Sequence, residues 1–220
     1  MEANDERRAN GACGTDGDRA GIEARRLTYG LLSRLFLEEV PADLLAQMRD
    51  DPPFAEGEGE LGRYMAGLAE ADLEQARTDA AAEFASLLLN MSADPVFPYE
   101  SVYTSPERLM MQQARDEVLA AYRAAGLTQT GAVKVPEDHA AIELEFMAKL
   151  CERERAALDG GDDAAREEAR KAQRAFLHDH LLVWMPQLCD DLEKRAHTGL
   201  YRGLAETTRQ FLAFEKDELG

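Results

Sequence analysis

Cysteine is scarce in this 220-residue sequence, and its three copies, Cys13, Cys151 and Cys189, stand far apart with no Cys-x-x-Cys spacing. That argues against a disulfide framework and against a zinc knuckle. Long apolar runs are missing too. A spanning helix needs roughly 20 consecutive apolar residues, and the longest local run, Leu181 to Met185, belongs to an amphipathic pattern. No stable membrane insertion is therefore expected. The opening residues, MEANDERRANGACGTDGDRAG, lack the apolar core of a secretory signal, so the chain is expected to stay in the cytoplasm. Basic residues are in short supply: 25 Lys and Arg stand against 43 Asp and Glu, a formal charge of −18. Such a field repels phosphate backbones and anionic lipid and draws in cationic peptides, which argues against nucleic acid as a partner.

The usual marks of catalysis are also missing. There is no Walker-type phosphate loop and no Gly-x-Ser-x-Gly elbow, and the glycines are scattered through turns. None of the four histidines has a glutamate three residues before it, which removes the paired Glu-x-x-His signature of a di-iron bundle. Cys151 and Cys189 fall in or beside apolar helical stripes, where cysteine acts as small packing material. No catalytic residue, no metal and no cofactor is expected.

What the sequence does contain is helical periodicity. Residues 1–21 lack it and read as a disordered tail, after which residues 22–218 read as one domain. Leu27, Leu31 and Leu35, widened by Leu32 and Phe36, form a first stripe that ends before Pro41. Leu61, Tyr64, Met65 and Leu68 mark a short second helix, and Leu73, Ala76, Ala80, Phe84, Leu87 and Met91 a long third. Asn90 to Pro106 carries three prolines and reads as a long ordered loop, with Ser105-Pro106 as a helix start leading into Met110, Ala114, Val118 and Tyr122. Ile142, Phe146 and Leu150 mark a further helix. Leu177, Leu181, Trp184, Leu188 and Leu192, with a kink expected at Pro186, and then Tyr201, Leu204, Phe211 and Leu212 complete the set. No sustained alternation of period two occurs. The fold expected is all-α, a single helical bundle of about seven to nine helices whose N- and C-terminal halves are joined by a hinge loop at about 127–139.

Two places stand out chemically. Asp138-His139 follows Pro136 at a loop-to-helix junction, where Asp138 reads first as an N-cap of the helix that follows. Tyr99, Glu100, Ser101 and Tyr103 concentrate aromatic and polar groups between prolines, as a packed loop or as a binding surface. His178 and His180 are two apart, about 200° around a regular helix, which reads as an ordinary surface or half-buried pair. His197, near a helix end, reads as structural.

Five segments in register over roughly residues 25–215 resemble the TorD/DmsD-like family of redox-enzyme maturation chaperones, which shares ancestry with nitrate reductase delta-subunit assembly proteins. They are Tyr29-Gly-Leu-Leu-Ser-Arg-Leu-Phe36, Pro98-Tyr-Glu-Ser-Val-Tyr103, Pro136-Glu-Asp-His139 with Ile142 to Met147, His180-Leu-Leu-Val-Trp-Met-Pro186, and the helix around Tyr201. The resemblance implies a cytoplasmic chaperone that binds the twin-arginine signal peptide and the apo form of a molybdopterin-dependent oxidoreductase, delays its export and supports cofactor insertion. The family's Glu-Pro-x-Asp-His hinge motif, implicated in signal-peptide binding, is matched by Pro136, Asp138 and His139, with Val135 where the motif has glutamate. Asp138 and Glu100 are the expected carboxylate partners for the two arginines, since a bidentate guanidinium–carboxylate pair is roughly twice as strong as a neutral hydrogen bond. His139 is expected to orient Asp138 or to shift the charge of the site. A groove for the apolar part of the signal is expected near Tyr99, Ser101, Tyr103 and Trp184.

Two other functions are compatible with the residues: a structural or assembly subunit retained in a reductase complex, and a nucleotide hydrolase, which the missing phosphate loop disfavours. A homodimer formed by helix exchange across the loop at 127–136 is also compatible. The acidic surplus is uneven, because residues 38–83 hold thirteen acids against Arg49, Arg63 and Arg77. Most of the field therefore originates away in sequence from the hinge.

Overall fold

The computed structural model describes residues 2–50, 59–128 and 134–220, with side chains from residue 16 onward. Part of the hinge expected at 127–139 thus lies outside the described residues. Among those described the architecture is all-helical, and the one β-type pairing is an isolated bridge between Tyr99 and His139.

The first helix, α1 (Glu2–Leu37), begins inside the stretch expected to be a disordered tail. From residue 16 onward its charges have partners. Asp18 meets Arg166 at 2.9 Å and Arg19 meets Asp159 at 2.7 Å, which fixes residues without apolar periodicity against the C-terminal half. The apolar stripe is also rotated from the one expected: Leu27 is 55% exposed, and Ile22, Arg25, Tyr29, Leu32 and Phe36 face inward.

After α1 come α2 (Ala42–Asp50), α3 (Gly59–Leu68) and α4 (Leu73–Leu88), the last capped by Asp72, which accepts from the N–H groups of Glu74 and Gln75. The expected long loop contains a one-turn helix, α5 (Glu100–Thr104). Ser105-Pro106 does not start a helix. Arg108 (φ 53°) and Met111 (φ 61°) take left-handed backbone conformations that interrupt it, so α6 (Gln113–Ala124) opens later and Met110 stays outside.

The helix α7 (Ala140–Gly160) is the central one. Ala140 to Leu144 are all buried, so its first turn is covered on every side, as a helix inside a bundle must be. Gly161, at φ 68°, ends it in a left-handed cap and turns the chain into α8 (Asp163–Phe176). A π turn, Leu177–Leu181, joins α8 to α9 (Leu182–Arg195) in one continuous rod. Pro186 lies inside α9, and the irregularity of the rod is the π turn just upstream of it. The last helix, α10 (Gly199–Leu219), folds back on α9.

Packing interleaves the halves. α1 lies along α7, and α3 crosses α10. At the heart of the α1–α7–α8–α10 layer, buried Arg25 forms a bidentate pair with Glu215 at 2.7 and 2.8 Å and reaches Glu154 at 3.2 Å and Gln173 at 2.6 Å, while the Tyr29 hydroxyl donates to Glu215. Removing one member of such a buried pair costs about 3–5 kcal/mol because it strands the other charge. Glu83 of α4 accepts from the backbone N–H groups of His197 and Thr198 and so caps α10 from another helix. Among the described residues no helix is long and apolar enough to cross a membrane.

Candidate functional site

The hinge sequence and the proline-flanked loop meet. The Ala140 N–H donates to the Pro98 carbonyl and the Glu100 N–H to the Asp138 carbonyl, each at 2.9 Å, which makes the two-residue bridge between Tyr99 and His139. Asp138 is not the N-cap of α7. That place is taken by His139, whose Nδ1 accepts from the Ala141 N–H at 3.1 Å. Asp138 instead caps α5: its Oδ2 accepts from the Ser101 N–H at 3.0 Å and from the Ser101 hydroxyl at 2.5 Å. The reason is geometric. The bridge holds α5 and the start of α7 together, so the carboxylate satisfies orphan donors on a helix far away in sequence.

Ser101 passes the link on, since its Oγ accepts from the Gln112 N–H at 3.0 Å and so seats the start of α6. The Pro136 carbonyl accepts from the His139 N–H at 3.1 Å in the tight turn, and the Tyr122 hydroxyl donates to the Glu137 carbonyl at 3.1 Å. The Tyr99 and His139 rings meet edge to face at 4.9 Å. Asp138 is fully buried and its Oδ1 has no partner among the described residues.

Behind the bridge lies a buried acid pair. Glu100 is 3% exposed and its Oε2 stands 2.9 Å from His180 Nδ1. Glu143, on α7, is fully buried, and its Oε2 accepts from the Trp184 indole at 3.0 Å. Burial first, and then the neighbouring Glu100 charge, push the Glu143 carboxyl well above the usual range. His139 moves the opposite way: burial lowers its pKa to about 4, which keeps Nδ1 free to accept. Tyr103 packs at a tilt against Trp184, ring centres 5.6 Å apart, and its hydroxyl donates to Asp191 at 3.3 Å.

The eight residues singled out from the sequence thus form one contiguous junction of α5, α7 and α9. Two members were not singled out, Glu143 and His180. For His180 the misleading signal was its spacing from His178 on a regular helix. The separation of about 200° sets the two on opposite sides of the rod, so that His180 is 7% exposed while His178 is exposed. The signal that finds it is its place four residues before Trp184 and four after Phe176, on whose ring it packs at 4.6 Å. Chemically the junction holds three buried carboxyls, two imidazoles and one indole: Glu100 is engaged with His180, Glu143 with Trp184 and Asp138 with Ser101, while His139 holds the Ala141 N–H. Trp184 is fully buried under Tyr103, so no groove opens on its face. The open space adjoining the junction lies on the far side of His180, between α6, α7 and α8.

Comparison with known proteins gives this junction a setting. The family model described as nitrate reductase delta subunit matches residues 48–190. A protein named Chaperone protein TorD from Vibrio cholerae (strain O395) is 32% identical over 212 residues, covering 90% of this chain and 94% of its own. The protein of that name from Vibrio vulnificus (strain CMCP6) is 25% identical over 215 residues, covering 90% and 95%. A solved structure from Archaeoglobus fulgidus, described as a candidate redox enzyme maturation protein, aligns with 86% of this chain and 93% of its own at a TM-score of 0.51 and 17% identity, a likeness of fold alone. The chain belongs to the nitrate reductase delta-subunit family and, within it, stands with the TorD/DmsD-like chaperones of redox-enzyme maturation.

Proposed function

We propose that this chain is a cytoplasmic chaperone that binds the twin-arginine signal peptide and the apo form of a molybdopterin-dependent oxidoreductase, delaying export while the cofactor is inserted. The observation that carries the reading is its 32% identity, over nine-tenths of its length, to a protein named as a TorD chaperone. Binding without turnover agrees with a junction in which each acid and imidazole is held by a neighbour. In this reading Asp138 and Ser101 are positioning residues, which hold α5 and the start of α6 against α7 so that the surface around them is already shaped when a leader arrives. The two arginines of a leader are drawn by a chain of charge −18 and then held by charge-assisted hydrogen bonds.

Calorimetry with a leader peptide carrying two adjacent arginines, and with the same peptide carrying two lysines, tests this. The arginine peptide is expected to bind, and the lysine peptide to bind more weakly because it lacks the planar fork. Asp138→Ala is expected to weaken binding by releasing α5. Equal affinities for the two peptides, or an unchanged affinity in Asp138→Ala, would remove the recognition role. The family description favours a second reading, a subunit retained in a reductase complex. Size exclusion separates the two, because a chaperone elutes free after its client is loaded and a subunit co-elutes with the mature enzyme.

A further inference from the structure

We propose that the groove between α6, α7 and α8 seats the apolar segment of the leader, with the arginine end of that segment at His180. This deepens the chaperone reading and rests on it. The groove encloses about 700 Å³, within the ≈ 300–1,000 Å³ of pockets that bury most of a ligand. Ala121 and Ala124 of α6 and Ala169 and Ala172 of α8 form its walls, and Phe146 and Leu150 of α7 form its floor. Walls that stop at a methyl group let another backbone approach closely, while the floor supplies apolar contact.

Small residues alone define no site; His180 supplies the polarity. It lines the end of the groove and is 7% exposed. Its Nδ1 is turned to Glu100, and Nε2 has no hydrogen-bond partner among the described residues. In the neutral ring with Nδ1–H donating to the carboxylate, Nε2 presents a lone pair at that end of the groove. Asp179 lines the same end, whereas Arg153 lines the wall further along α7, about 10 Å beyond Phe146 at 1.5 Å per residue. Glu168 and Lys171, also on the lining, oppose each other in charge. Two acceptors, Asp179 and His180, therefore stand at one end, while two cations, Arg153 and Lys171, against one acid, Glu168, lie toward the other. A ligand with its cation first and its apolar run next matches that order; the reverse order sets cation against cation.

The test uses the full chain and a synthetic peptide of two adjacent arginines followed by a leucine–alanine run, with a benzophenone placed in either part. In the wild type, crosslinks from the apolar run are expected on α6 and α8, and those from the arginine end around residues 176–183. Ala172→Trp, which fills the groove, is expected to weaken binding about tenfold or more with helicity and thermal midpoint retained. Ala82→Trp, on the exposed side of α4, is expected to leave binding unchanged. Should the wild type bind the peptide while its crosslinks map elsewhere, for instance to Leu109–Met111, the groove assignment falls and the chaperone reading stands. Should the wild type not bind at all, the chaperone reading falls with it.

Discussion

His139 is held by two demands that agree. Its Nδ1 accepts the Ala141 N–H, which needs an unprotonated nitrogen, and burial favours the neutral ring. The unfolded chain takes up a proton near pH 6.5, whereas the folded chain resists until about pH 4. The folded pKa is depressed, so the stability this group contributes is complete above 6.5 and is lost as pH falls toward 4, by about 3 kcal/mol in all. Glu143 slopes the other way. Its raised pKa leaves the folded chain holding a proton that the unfolded chain releases, so its contribution is fullest in acid and declines as pH rises. Wild-type curves superimpose the two slopes. His139→Asn keeps an N-cap acceptor and removes the titration. Urea unfolding at stepped pH is expected to show a flatter limb between pH 6.5 and 4 in this variant than in the wild type; parallel limbs would place the acid sensitivity elsewhere.

Between helices, one close approach is made by a glycine. A Cβ on Gly203 would stand 2.5–2.6 Å from the backbone of Leu61, so α10 and α3 touch main chain to main chain. In an open helix Gly→Ala gains about 1 kcal/mol. Here the methyl group must separate two helices, which costs about 1–3 kcal/mol and sometimes more. Gly203→Ala is therefore expected to lower stability, measured by thermal or urea unfolding, while Gly67→Ala on α3, where a Cβ meets nothing within 4 Å, is expected to be neutral or stabilising. Equal effects would mean that α3 is free to move. This contact also marks how far the sequence could be read. Strong stripes such as Leu73–Phe84–Leu87 and Ile142–Phe146–Leu150 announced their helices. α8 has few large apolar residues, and buries Ala169, Gln173 and Phe176 against α7, so a search for leucine stripes passes over it. α2 is too short to show a period, and residues 16–19 of α1 are held by ion pairs rather than by an apolar face. At the site, local signals brought Asp138, Ser101 and Glu100 to notice, but that Asp138 caps α5 rather than α7 depends on a bridge between segments 37 residues apart, which no local pattern encodes.

At the scale of the whole molecule, arginines are largely spent on the protein itself: among the described residues thirteen stand within 4 Å of a carboxylate. The field that reaches solvent is therefore that of the surplus acids, and residues 38–83 carry a large share of them, on the segments around α2, α3 and α4. The hinge junction belongs to α5, α7 and α9. A charge set away from the point of contact raises the rate of encounter more than the lifetime of the complex, and beyond about 8 Å it is screened at physiological salt. Association of a twin-arginine leader is thus expected to slow steeply as salt is raised, while dissociation, governed by the contacts themselves, changes little. Trp184 is the sole tryptophan of the chain and lies one helical turn beyond His180, which makes it the natural reporter for stopped-flow mixing. Replacing Glu70, Asp72 and Glu74 together by their amides is expected to lower the association rate at low salt, to converge with the wild type at high salt, and to leave dissociation unchanged. An association rate indifferent to salt, or a dissociation rate that carries the whole effect, would show that the surplus charge plays no part in drawing the leader in.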